Sequence, residues 1–229
     1  MSISKESKKK VEETWLKAFP QLNKFSGSRF FKIIGPFIAG IELLNAWGVN
    51  NYKPYFVLYP LWENNIDKCL DKPIVLNTLR NKKGISISLP YEWDDKLLGE
   101  FIANLGPQIL LSLNKDVFLT EVSAAIDLYW QDPGVKAQSS HMRAHLLSSS
   151  FFAALYVNNR AEVERILASV LLESQSWNMQ NFIHFFGDFQ SWLDGLYMQI
   201  GKRDEFISKI KGNGMHKKIK DLQFSELVV

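Results

Sequence analysis

Histidine and cysteine, the side chains that most often carry metals, nucleophiles and proton transfers near neutral pH, are scarce in this chain. Its 229 residues include 4 His and 1 Cys, and no catalytic motif surrounds any of them. Cys69 has no partner for a disulfide within the chain, so a reducing cytoplasm is the expected compartment. Long apolar runs are lacking too. The longest, Ile33 to Ile41, contains Gly35-Pro36 and stops at Glu42, far short of the roughly 20 residues that cross a bilayer. The opening residues, Met1-Ser-Ile-Ser-Lys-Glu-Ser-Lys-Lys-Lys10, carry charge where a secretory signal carries an apolar segment. A soluble, cytoplasmic protein with no membrane partner is therefore expected. Nor does one sign of charge dominate. A formal net charge of +3 gives none of the field of a dedicated nucleic-acid binder. Gly35, Gly40 and Gly48 are too scattered for a phosphate-cradling loop, and no serine stands in a Gly-x-Ser-x-Gly elbow.

Aromatic side chains, by contrast, are abundant: 7 Trp, 7 Tyr and 16 Phe. Val11, Trp15, Leu16 and Phe19 share one helical face ahead of Pro20, which predicts an amphipathic helix over 5–19. From Phe25 to Leu89 the pattern shortens. Phe30–Ile34, Phe37–Leu44 and Tyr55–Tyr59 read as strands, since aromatic and branched side chains suit a pleated, buried surface. Residues 74–89 predict a hairpin around Asn81-Lys-Lys-Gly84, with Gly84 supplying positive φ, and residues 61–71 a short helix or turn. Beyond Trp93 the spacing becomes helical, with helices expected near 97–105, 118–129, 140–157, 159–170 and 179–200. The fold class expected is α+β: an N-terminal helix and antiparallel sheet (about 25–90) followed by an all-helical C-terminal half. With no Gly/Ser/Pro linker near 90–96, residues 1–229 read as a single unit with a β-rich subregion 1–92 and a helical subregion 93–229.

Candidate chemistry is sparse. His141 and His145 lie four apart and could share a metal on one helix face, with Glu173 or Asp188 as distant ligands. Met142 stands where a zincin would place its general base, so that mechanism is excluded and no metal ligand is assigned. His184 and Asp188 share the same spacing, and Cys69 lies between flanking aspartates that would raise its pKa. Lys8–Lys10 and the basic segment 209–220 could touch phosphates, which leaves nucleic acid as a weaker alternative partner. The aromatics Trp47, Tyr52, Tyr55, Trp62 and Trp93 stand in or beside connections, where exposed rings anchor partners. The sequence thus leans away from an enzyme and from any cofactor. It points to a non-catalytic protein that binds another protein through an aromatic surface, in an immunity, antitoxin or accessory role. A metal-assisted hydrolase using His141 and His145 is the rival expectation.

Overall fold

The computed structural model describes residues 4–46, 50–137 and 139–229. Helix α1 (Lys5–Ala18) is capped by Ser4, whose hydroxyl accepts the Ser7 N–H at 2.9 Å, and it buries Val11 and Trp15. Strands β1 (Asn23–Ser26), β2 (Arg29–Ile34), β3 (Phe37–Asn45) and β4 (Asn51–Pro60) follow as antiparallel neighbours. β3 is buried without a break from Phe37 to Leu43, because it lies between two full-length neighbours and is covered on both faces. Helix α2 (Ile66–Cys69) leads to β5 (Val75–Thr78) and β6 (Leu89–Pro90), which share the outer edge of β4.

The second half comprises α3 (Asp95–Ala103), β7 (Val117–Phe118), α4 (Leu119–Trp130), α5 (Pro133–Lys136), α6 (Ser139–Tyr156), α7 (Arg160–Ser174), α8 (Met179–Phe186), α9 (Phe189–Gly201) and α10 (Arg203–Gly214). Two short strands, β8 (Phe224–Ser225) and β9 (Leu227–Val228), end the chain. The fold is α+β, as the sequence pattern predicts. Helix α6 is the centre of the helical half and packs against α4, α5, α7, α8 and α10. Its Ala144, Leu147, Phe151 and Ala154 are buried, and small residues at 148–150 let neighbours come close. A single cluster of buried apolar side chains runs from Val11 to Leu227 and joins sheet and helices.

Three expectations need correction. Gly84 does take positive φ (75°), but the returning arm of the 74–89 hairpin makes only an Arg80–Ser86 bridge before β6 pairs with β4. Ile85 is 59% exposed, so no buried face holds that arm in register. The helix expected over 179–200 is two. Gly187, at φ 76°, ends α8, and Asp188 caps α9. Last, β structure does not stop near residue 90. β8 adds in parallel to β2, and β9 pairs with β7. Two-residue strands are too short to show a period. The return is held by the buried Lys32, whose Nζ donates to Leu113 O and Ser225 Oγ at 2.7 Å each. Burial lowers the Lys32 pKa, against the pull of nearby Asp116.

Candidate functional site

At the end of β4 the chain turns over the rim of the sheet, and α10 fixes the turn from the helical side. The Asn213 amide donates to Leu61 O and Glu63 O, both at 2.8 Å. Between those two carbonyls Trp62 packs on Phe37 from the sheet (5.5 Å) and on Phe152 from α6 (5.0 Å). Helix α6 presents His145, Ser148, Ser149 and Phe152 here, spaced i, i+3, i+4 and i+7, so they form one face. Helix α9 repeats that spacing with Trp192, Gly195, Leu196 and Gln199. Phe186 at the end of α8 closes the wall, touching Trp192 at 5.9 Å. Together with Pro60 and Glu63 these residues enclose a cleft of about 390 Å³ at the seam between sheet and helices. That volume falls within the range of small-ligand sites, which favour such seams.

The polar groups in the cleft are few and unevenly satisfied. Ser148 and Ser149 donate back to Ala144 O and His145 O at 2.8 Å, leaving their oxygens only as acceptors. The His145 ring has no hydrogen-bond partner among the described residues. Burial pushes its pKa down to about 4, and the neighbouring His141 and Lys72 push the same way, so the imidazole is neutral near pH 7. Glu63 is half-buried, and its carboxylate forms no ion pair among the described residues. No Lys or Arg is among the described residues that line the cleft. A neighbouring hollow shares Trp62, Glu63, Phe152 and Gln199 and adds Lys202, Glu205 and Lys209.

The cleft brings together two residues singled out from opposite halves of the sequence, Trp62 and His145. The other aromatic candidates go elsewhere. Tyr52 is fully buried, its hydroxyl accepting the Trp15 Nε1–H at 3.2 Å and its ring 4.9 Å from Tyr91. With no exposed surface it is a core residue, not an anchor. Tyr55 and Trp93 are half-buried, and Trp93 stacks on Phe101. Trp47 lies outside the described residues. Sequence reasoning passed over Phe152, Phe186, Trp192 and Gly195 as site residues. The repeated i, i+3, i+4, i+7 spacing in two helices was the available signal, but only the turn at Gly187 brings α9 round to use it.

Outside the cleft, His141, Glu173 and Asp188 are committed to other bonds. His141 Nδ1 lies 3.0 Å from Asn181 Oδ1, and its ring stacks on Phe185 at 3.9 Å. Glu173 is held in a bidentate pair by Arg143 (2.6 and 2.7 Å). Asp188 accepts from the Ser191 N–H and hydroxyl at 2.8 and 2.9 Å, which lowers its pKa, and it makes no bond to the exposed His184. Among the described residues no group of three or more His, Cys, Asp or Glu is placed to hold a metal ion. Cys69 is fully buried, and burial raises its pKa to about 11, so it is a poor nucleophile. The basic segment 209–220 is no loose tail. Its first part is in α10, Lys218 pairs with Asp67, and Ile219 enters the core. No helix among the described residues is long and apolar enough to cross a membrane. Compared with known protein families, curated proteins and solved structures, the chain matches none.

Proposed function

We propose that this protein works by binding another protein rather than by catalysis, and that the seam cleft is where it grips that partner. The observation that carries the reading is the wall of four aromatic side chains, Trp62, Phe152, Phe186 and Trp192, around space that the chain itself leaves open. Apolar pockets with aromatic walls accept the few anchor side chains that carry most of the energy of an interface. An immunity, antitoxin or accessory role, exercised in a reducing cytoplasm, is consistent with a buried lone thiol.

Site-specific photocrosslinking in the native host tests this. A crosslinking residue at Gln199, in the cleft wall, is expected to trap one discrete partner, and the same residue at Ile85, in a different hollow, is expected to trap none. Equal trapping from both positions, or none from Gln199, contradicts the reading.

A further inference from the structure

We propose that the group received by the cleft is an organic cation, an ammonium-bearing side chain of the partner held among Trp62, Phe152, Phe186 and Trp192 with the Glu63 carboxylate as its counter-charge. The inference rests on the reading that the cleft is the recognition site and adds the chemistry of the occupant. Charge complementarity carries it. Among the described lining residues there is one ionised group, Glu63, with no basic residue and no ion pair to neutralise it. A cation arriving with the ligand supplies the opposite charge that the lining of the cleft lacks. The aromatic walls act in the same direction, because ring faces carry negative electrostatic potential and attract ammonium groups.

His145 fits this assignment. Were it protonated, its charge would offset Glu63 and repel the ligand. Burial, with His141 and Lys72 nearby, keeps it neutral, so it adds no positive charge beside Glu63. A neutral imidazole also offers one acceptor nitrogen, as do the Ser148 and Ser149 oxygens whose hydrogens point to backbone carbonyls. Lys202 and Lys209 line the adjoining hollow, which Glu63 also borders and where Glu205 adds a second carboxylate, but neither lysine forms an ion pair with Glu63 among the described residues and neither lines the cleft. An anionic ligand would meet the carboxylate with no cation in the wall to hold it.

Titration calorimetry of the whole protein with choline, its uncharged isostere 3,3-dimethylbutan-1-ol, and butyrate tests the charge directly. Choline is expected to bind about tenfold more tightly than the alcohol, the scale of a cation among aromatic rings with a carboxylate. Glu63→Gln is expected to weaken choline about fivefold and to leave the alcohol unchanged, an effect that a purely structural role of Glu63 would not produce. Gly195→Phe, which fills the cleft from a position where an added Cβ meets nothing within 4 Å, is expected to abolish both. Equal binding of choline and the alcohol, tighter binding of butyrate, or binding of no probe overturns the inference. If the Gln199 crosslink to a partner persists in that case, the binding reading stands and only the charge assignment falls.

Discussion

Two groups of aromatic side chains in this molecule look alike in sequence and behave differently in space. On and against the sheet, Trp15 of α1 donates to Tyr52, Tyr91 donates to Asn45 at 2.6 Å, and Tyr59 donates to Glu42 at 2.9 Å. Each polar tip has a partner and each ring is buried, so these residues are finished by the fold. Around Trp62 the rings also touch one another, but they border an open cleft with an imidazole and a carboxylate left unpaired. The difference teaches that aromatic content alone does not mark a site. What marks it is polar groups left unsatisfied beside rings that have space in front of them.

Substitutions can separate the two groups. Trp15→Ala is expected to have the largest effect, a loss of about 4 kcal/mol of stability from a fully buried large side chain, measured by denaturant unfolding. Cleft binding should survive in whatever fraction remains folded. Glu173→Ala comes next. It leaves the Arg143 guanidinium, 13% exposed, with only a 3.6 Å approach to Asp127 and the Trp130 ring, at a cost of about 2 kcal/mol. Tyr52→Phe removes the acceptor of the buried Trp15 N–H and should cost about 1 kcal/mol. Gly195→Ala should raise stability by about 0.7 kcal/mol, since a glycine inside α9 gains helix propensity without a clash.

Acid sensitivity is a further difference between the groups. The sheet aromatics carry phenols whose pKa values burial raises, so they do not titrate below neutrality. His145, lowered from 6.5 to about 4, binds its proton more readily in the unfolded chain. Stability therefore rises with pH across the window from about 4 to 6.5, and His145→Gln should flatten that slope in thermal melts from pH 4 to 7.

Much of this fold was legible in the sequence because its long elements have strong periods. The face of α1 through Val11 and Trp15, the buried run of β3, and the cap at Asn159, whose side chain accepts the Glu162 N–H at 3.1 Å, all follow from local pattern. What escaped has a physical reason in each case. β8 and β9 are two residues each and exist only because distant partners receive them, β2 with Lys32 for β8 and β7 for β9. The break at Gly187 was hidden because Phe182, Phe185, Phe186, Phe189, Trp192, Leu193 and Leu196 keep a single helical phase across it, so the apolar period gives no sign of a turn. The site was half legible: Trp62 and His145 drew attention for separate reasons, but sequence spacing cannot bring residues 83 positions apart onto one cleft. Tyr52 was misread because a tyrosine beside a loop and a tyrosine under a helix have the same local sequence.

The most direct test of the account is the Gln199 photocrosslink repeated in a Gly195→Phe background, with the melting temperature measured in parallel. A filled cleft is predicted to abolish trapping of the partner while the protein melts no lower than the parent. Undiminished trapping by a protein whose cleft is filled would contradict the assignment of the Trp62–His145 seam as the recognition site.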